Sequence, residues 1–103
     1  MIVFISSPYS GDVEKNVEAT RKYCRYAVYK GHIPIATHLL FPQFLDEATV
    51  RTLGFRMGFR LLDRCDELWA FVGERSEPLI SPGMALEIAY AKEHLIPVCH
   101  IKI

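Results

Sequence analysis

The segment that runs from Ser81 to Val98 constrains the fold more than any other part of the sequence. Ser81 is a favourable N-cap residue, and Pro82 suits the first position of a helix because its missing N–H is not needed there. Ile96–Val98 then reads as the start of a strand. Apolar residues recur at steps of four, three and four, which predicts that one buried stripe of the helix is formed by Met84, Ile88, Ala91 and Leu95.

Glu87 lies at the border of this apolar stripe, one turn into the predicted helix. Gly83, at the helix start, has no Cβ, so a ligand can approach the backbone there. The N–H groups and the dipole of a helix N-terminus also attract anions. Glu87 is therefore a candidate site residue, and a solvated surface glutamate is the alternative.

Apolar runs alternate with helical segments along the whole chain. The predicted strands are Ile2–Ser6, Ile33–Ala36, Glu67–Val72 and Pro97–Ile101, and the predicted helices run from Asp12 to Gly31, from about Val50 to Arg64, and onward from Ser81. This pattern predicts an α/β fold, with a flavodoxin- or Rossmann-like parallel sheet of about four strands in a three-layer arrangement. Right-handed crossovers favour the strand order 2-1-3-4. Pro34 lacks a backbone donor, which places its strand at a sheet edge.

The composition fits one small domain that covers residues 1–103. Twelve basic and twelve acidic side chains cancel, so we expect neither a nucleic-acid partner nor a membrane partner. The three cysteines are odd in number and widely spaced, which favours free thiols in a reducing, cytoplasmic compartment. The apolar start, Met1–Ile5, is too short for a signal sequence.

Apolar residues on two of the predicted helices are expected to contact different surfaces, the protein core in one case and a second subunit in the other. In the first, Val13, Val17, Cys24 and Val28 are predicted to face the core. The helix from 50 to 64 has two apolar faces. One contains Val50, Leu53, Met57, Leu61 and Cys65, and the other contains Phe55, Phe59 and Leu62. Only one face can pack on the sheet, so the phenylalanine face predicts a homodimer or higher homo-oligomer formed through this helix. Leu86, Ala89 and Tyr90 are expected to extend that contact.

Polar residues follow the predicted strand ends. The carboxyl ends of parallel strands meet at one edge of the sheet, which is where open α/β sheets bind ligands. The residues expected at this edge are Ser6, Ser7, Tyr9, Gly11, His38, Gly73 and the helix start with Ser81, Gly83 and Glu87. The loop Gly73–Ile80 is long enough to cover a pocket there.

Several of these residues have an ordinary structural alternative. Ser7–Asp12 can be a plain strand-to-helix connection, and His38 can be a histidine bonded to backbone. The row of Arg56, Arg60 and Arg64 either reaches a phosphate or forms a solvated face. The four histidines show no metal-ligand spacing, so we expect neither a metal nor a cofactor.

The chain resembles the nucleoside 2-deoxyribosyltransferase-like superfamily, including its 2′-deoxynucleoside 5′-phosphate N-hydrolase branch. The resemblance extends over nearly the whole length. It is carried by the segments Val3–Gly11, Arg64–Phe71, Ser81–Ala91 and Ile96–Val98. It implies that Glu87 is the nucleophile that attacks the anomeric carbon of a nucleoside sugar. In the phosphate-using branch, serines at the positions of Ser7 and Ser81 contact the 5′-phosphate, and Gly83 keeps the helix start open. The presence of both serines therefore favours a nucleotide over a free nucleoside.

The sequence departs from the family pattern at two positions. A tyrosine that supports the nucleophile is replaced by Val3, although Tyr9 nearby can take that role. An aspartate that handles the leaving base is replaced by Gly58. The first functional hypothesis is an N-glycosidic enzyme in which Tyr9 and His38 orient the sugar or base. The alternative is a module that binds a nucleotide without turning it over.

Overall fold

The computed structural model describes residues 1–72 and 80–103. Four strands are named β1 to β4 in chain order: Ile2–Ser6, Ile33–Ile35, Glu67–Phe71 and Val98–Ile101. Four α-helices are named α1 to α4: Val13–Tyr29, Thr37–Leu40, Glu47–Leu62 and Pro82–Glu93. A short 3₁₀ turn, Phe41–Gln43, joins α2 to α3, in a stretch whose sequence shows no clear period.

All strand pairs are parallel, and the order across the sheet is β2-β1-β3-β4, as predicted from right-handed crossovers. Pro34 pairs with Val3 in the edge strand β2, so its missing donor interrupts no second ladder. Because β1 leads to β2 on one side and β3 lies on its other side, the strand order reverses at the β1/β3 boundary. The carboxyl end of β1 is therefore a favourable position for a ligand.

Helices cover both faces of the sheet, which gives the three-layer α/β fold that the alternating pattern predicts. Val3 and Ile5 of β1 face the layer that contains α1. Phe4, between them, faces the layer that contains α3 and α4, where it packs with Leu62 and Met84. This alternation is the normal period of a strand, and it also determines where the two serines that follow Ile5 point.

The inner face of α1 differs from the prediction. Val28 is exposed, and the buried residues of this helix are Thr20 and Ala27. Tyr23 also faces inward, with its ring stacked on Phe71 at a centroid distance of 4.2 Å. Val28 follows Ala27 by one position, or about 100° around the helix, so it turns to solvent once Ala27 is against the sheet. Val13, in the first turn, is exposed as well.

Helix α4 buries Met84, Ile88 and Ala91 as predicted, but Leu95 is 90% exposed. The helix ends at Glu93, and Leu95 takes a left-handed backbone conformation with φ of 59°. The N–H of Ile96 then donates to the carbonyl of Ala91 at 2.8 Å, a bond typical of a helix that ends in a left-handed residue. This reversal turns the side chain of Leu95 away from the core.

Helix α3 does not divide into one buried and one outward apolar face as predicted, because residues of both faces are buried. Leu62 is fully buried under the sheet, and Phe59 packs beside it with its ring stacked on Tyr90 at 4.3 Å. Tyr90 therefore lies between helices, not on the outer side of α4. Phe55 alone of the three predicted outward residues stays 40% exposed. The predicted homodimer through this helix remains a prediction, with a smaller apolar surface than the sequence indicated.

Over the part of the chain that the structure describes, no helix combines the length and the apolar character needed to cross a membrane.

Candidate functional site

A cavity of about 700 Å³ opens at the carboxyl end of β1. Its walls come from the β1–α1 loop, from the α2–α3 segment and from the first turns of α4. The polar lining includes Ser7, Tyr9, Ser10, Thr37, His38, Glu47, Arg51, Ser81 and Glu87, and the apolar lining includes Val13, Phe41, Val50, Phe55, Met84 and Leu86. Such a mixture of apolar walls and a few polar groups is typical of a small-molecule site.

Glu87 is a buried carboxyl group at this cavity. It is only 5% exposed, and it shares the inner face of α4 with Met84, Ile88 and Ala91 because these positions follow the helical period. Burial raises the pKa of Glu87 to about 7, and a hydrogen bond from Ser6 partly opposes that rise. The desolvated carboxyl is thus close to half ionised at neutral pH.

Ser6 holds one oxygen of this carboxyl group. Its hydroxyl donates to Oε1 of Glu87 at 2.7 Å, and both side chains are buried. Ser6 faces the same side of the sheet as Phe4, two positions earlier, which is the side that α4 covers. Ser6 is fully buried and does not line the cavity, so it supports Glu87 from behind, where the sequence analysis expected a direct contact with substrate.

Ser7 points to the opposite layer. Its hydroxyl lies 3.0 Å from the hydroxyl of Thr20 on α1, and Thr20 in turn donates to the carbonyl of Asn16 at 2.9 Å. The side-chain amide of Asn16 donates to the carbonyls of Tyr9 and Ser10, both at 3.0 Å. These bonds fix the β1–α1 loop against the first turns of α1.

Gly11 completes the β1–α1 loop with φ of 94°, a conformation that side chains with a Cβ rarely adopt. Asp12 follows as the N-cap of α1, where its carboxylate accepts from the N–H of Lys15 at 3.2 Å. The loop therefore reaches the cavity through a turn that depends on glycine.

The rings of Tyr9 and His38 are in contact at the wall of the cavity, with a centroid distance of 4.8 Å. Burial lowers the pKa of His38 to about 4, so its imidazole is neutral at physiological pH. In the described part of the chain, the hydrogen bond to Glu87 comes from Ser6, and Tyr9 lines the cavity beside His38.

The start of α4 forms another wall. The hydroxyl of Ser81 accepts from the N–H of Met84 at 3.2 Å, which is the N-cap bond that the sequence predicts. A Cβ built on Gly83 would lie 3.1 Å from Cζ of Phe55. Gly83 therefore permits the ring of Phe55 to lie close to the helix start.

The charged residues at the cavity are few. Arg51 and Glu47 form an ion pair of 2.8 Å on the first turns of α3. Arg56, Arg60 and Arg64 are exposed and do not belong to the cavity lining. Among residues 1–72 and 80–103, no group of three or more histidine, cysteine or acidic side chains is arranged to hold a metal ion.

Gly58, where the resembled family carries an aspartate, is buried against α2. A Cβ built there would already touch Cγ2 of Thr37 at 3.5 Å. The two helices thus pack closely at Gly58, the position where the resembled family has its carboxylate.

Most of the predicted site residues come together at the cavity: Ser7, Tyr9, Gly11, His38, Ser81, Gly83 and Glu87. Gly73 and nearly all of the predicted covering loop lie outside the described residues. Asn16 and Thr20 were not predicted as site residues, because both look like ordinary helix positions in the sequence. The sequence did contain a signal for them. A loop rich in small residues is followed by an asparagine in the first turns of the helix and by a threonine at an inward position.

The fold and the cavity define a class of protein: a three-layer α/β domain with a buried carboxyl group at the carboxyl end of its first strand. The chain belongs to the family described as a domain of unknown function, DUF7768, whose family model matches residues 1–101. No curated protein matches the sequence.

Two solved structures share the fold. A 2-deoxyribosyltransferase from the psychrotolerant bacterium Bacillus psychrosaccharolyticus superposes with a TM-score of 0.70 at 16% identity, over 99% of this chain and 72% of that one. A 2-desoxiribosyltransferase from Leishmania mexicana gives a TM-score of 0.67 at 14% identity, over 98% of this chain and 63% of that one. The chain thus spans less than two thirds of the length of the second enzyme. At these identities the likeness concerns the fold.

Proposed function

We propose that this protein cleaves the N-glycosidic bond of deoxynucleosides or of their 5′-monophosphates, with Glu87 as the nucleophile. The observation that carries the proposal is the position of Glu87: a carboxyl group that is 5% exposed, lines a cavity of about 700 Å³ and accepts a hydrogen bond from Ser6. Burial of a carboxyl group costs stability, so a buried carboxyl group that lines a cavity is a candidate for a functional role. The fold shared with two 2-deoxyribosyltransferases supports the same reading.

The proposed reaction has two steps. An oxygen of ionised Glu87 attacks the anomeric carbon as the C1′–N bond breaks, and the base departs with the bonding electron pair and takes up a proton. Water, or a second base, then attacks the same carbon, loses a proton and releases the carboxylate. Because burial raises the pKa of Glu87 to about 7, the reactive carboxylate grows in amount as the pH rises through that value.

The cavity walls fit the two parts of a nucleoside. Phe41, Val50 and Phe55 provide apolar surface against which the flat face of a base can pack. Ser7 and Ser81 lie at the β1–α1 loop and the α4 start, and we place the 5′ end of the sugar near them. Tyr9 and His38, which are in contact with each other, would orient the sugar or the base.

The test is base release. The purified protein is incubated with each deoxynucleoside and each 5′-monophosphate, with and without a second free base, and the products are separated by chromatography. The matched variants are Glu87→Gln, which keeps the shape of the side chain, and Glu93→Gln, which changes an exposed glutamate of the same helix. We expect release with wild type and Glu93→Gln and none with Glu87→Gln.

The outcomes separate the hypotheses. Products formed only with a second base indicate transfer, and products formed without it indicate hydrolysis. Release that persists in Glu87→Gln overturns the role of Glu87. If no substrate is cleaved but native mass spectrometry detects bound nucleoside or nucleotide, the protein is a binding module and the proposed enzymatic function is wrong.

A further inference from the structure

The hydrogen bonds behind Ser7 determine which kind of group it can hold. Thr20 donates its single hydroxyl proton to the carbonyl of Asn16 at 2.9 Å. The contact of 3.0 Å between the hydroxyls of Ser7 and Thr20 must then use the proton of Ser7. Ser7 and Thr20 are both buried, so water does not readily substitute for either bond. Ser7 is left with lone pairs alone to offer to the cavity.

Two groups near Ser7, the hydroxyl of Ser6 and the carboxylate of Glu87, likewise offer no proton to a ligand. Ser6, next to Ser7, has given its proton to Glu87, so it is no donor to a ligand either. Glu87 itself accepts hydrogen bonds when ionised. Among the described lining residues, the guanidinium of Arg51 is paired with Glu47 at 2.8 Å, which leaves little net positive charge. A phosphate brings further oxygens that accept and do not donate, so it matches the acceptor-only hydroxyl of Ser7 poorly.

We propose that the Asn16–Thr20–Ser7 hydrogen-bond chain makes Ser7 a dedicated acceptor for the 5′-hydroxyl of a nucleoside, so that the site selects the nucleoside over its 5′-monophosphate. The inference rests on the proposed function and chooses between the two substrate classes that it names. Asn16 and Thr20 act through Ser7 and through the β1–α1 loop, and are positioning residues. Ser7 is the residue that contacts the ligand.

The test measures affinity in one background. Glu87→Gln protein, which should not turn over its ligand, is titrated calorimetrically with the four deoxynucleosides and their 5′-monophosphates, and for the tightest nucleoside with its 5′-deoxy analogue. Because all later variants are built on the same background, the charge removed at position 87 affects every comparison equally. We expect the nucleoside to bind about tenfold or more tightly than both the monophosphate and the 5′-deoxy analogue, in line with one hydrogen bond gained or lost.

Thr20→Val is the decisive variant, because valine keeps the shape of threonine but cannot accept a bond from Ser7. The freed proton of Ser7 can then turn to the ligand, and we expect the preference to move toward the monophosphate by about tenfold. Thr20→Ser, which keeps the hydroxyl, should retain the original preference. Thermal unfolding by circular dichroism establishes that each variant is folded.

A second variant covers the case in which Thr20→Val does not fold. Ser7→Ala removes the acceptor itself, so it should weaken nucleoside binding about tenfold and leave the 5′-deoxy analogue unchanged. The inference is overturned if the monophosphate binds more tightly in the parent protein, or if neither Thr20→Val nor Ser7→Ala changes the preference. Binding with an unchanged preference leaves the proposed function standing, whereas no binding of any nucleoside or nucleotide overturns both.

Discussion

The hydroxyl of Ser6 donates to Oε1 of Glu87 across 2.7 Å, and this bond joins the end of β1 to the second turn of α4. It stabilises the ionised form of a carboxyl group that burial otherwise favours as the neutral acid. The charge state of Glu87 is therefore a balance between one hydrogen bond and the apolar surroundings. Two predictions concern that balance.

The first prediction concerns the pH dependence of folding. The pKa of Glu87 is raised from 4.5 to about 7 in the folded protein, so folding favours its protonated form. The stability that protonated Glu87 contributes is fully present below pH 4.5 and is lost as the pH rises through about 7. The free energy of unfolding falls by on the order of 3 kcal/mol over this range. Glu87→Gln should remove the loss. Urea unfolding at pH 5 and pH 8 should show a smaller decrease in the free energy of unfolding for this variant than for wild type.

Glu93→Gln is the control for that measurement, since Glu93 is an exposed glutamate on the same helix. Its pH dependence should follow wild type. Equal decreases for wild type and Glu87→Gln would contradict the assignment of a raised pKa to Glu87.

The second prediction concerns Ser6→Ala. Loss of the hydroxyl removes the bond that lowers the pKa of Glu87, so this pKa should move further above 7. The pH profile of base release should shift to higher pH, while Ser10→Ala, which changes an exposed serine at the cavity, should leave the profile in place. An unshifted profile in Ser6→Ala would mean that Ser6 does not tune the carboxyl group.

The third prediction couples Gly83 to Phe55. In an open helix start, Gly83→Ala should stabilise the protein by about 0.5–1 kcal/mol, because alanine favours the helix. Here the new methyl group would lie 3.1 Å from Cζ of Phe55, so the ring must move and the gain should be cancelled or reversed. In a Phe55→Ala background the gain should return. A double-mutant cycle by chemical unfolding measures the coupling, and additive effects of the two substitutions would rule out the contact.

The fourth prediction concerns the end of α4. Leu95 has φ of 59° and is 90% exposed, so it carries backbone strain without compensating burial. Leu95→Gly should raise the free energy of unfolding by about 1 kcal/mol. Gly31, which follows α1, also has a positive φ, of 89°, but is already a glycine. Gly31→Ala should therefore have the opposite effect and lower the free energy of unfolding by a similar amount. A loss of stability in Leu95→Gly would show that the leucine side chain contributes to packing.

The sequence predicted the fold well because its signals are local. The apolar run of β1, the edge proline Pro34 and the Ser81 cap each determine a nearby element, and the strand order follows from the handedness of the crossovers. The errors lie where tertiary packing decides among apolar residues. Phe55 and Phe59 are equally apolar, but Phe59 packs against the core and stacks on Tyr90, whereas Phe55 stays 40% exposed.

The candidate site was predicted in part for the same reason. Residues at strand ends and at a helix start converge by topology, which identified Ser7, His38 and Glu87. Hydrogen-bond partners depend on which layer each side chain faces. The sequence therefore did not show that Ser6 bonds to Glu87 whereas Ser7 bonds to Thr20. Neither the threonine nor the asparagine behind Ser7 differs from a common helix residue until α1 is placed against the loop.

The bond between Ser6 and Glu87 also has a consequence for the kinetics of folding. It joins residues 81 positions apart, and we expect it to form late, after β1 has paired with β3 and α4 has docked on the sheet. Contacts of high sequence separation must meet their loop-closure cost before they stabilise the chain, and they are associated with slow folding. During refolding, the ability to bind a ligand should consequently lag behind the recovery of helical circular dichroism. Ligand binding in this small domain would then report the last stage of its assembly.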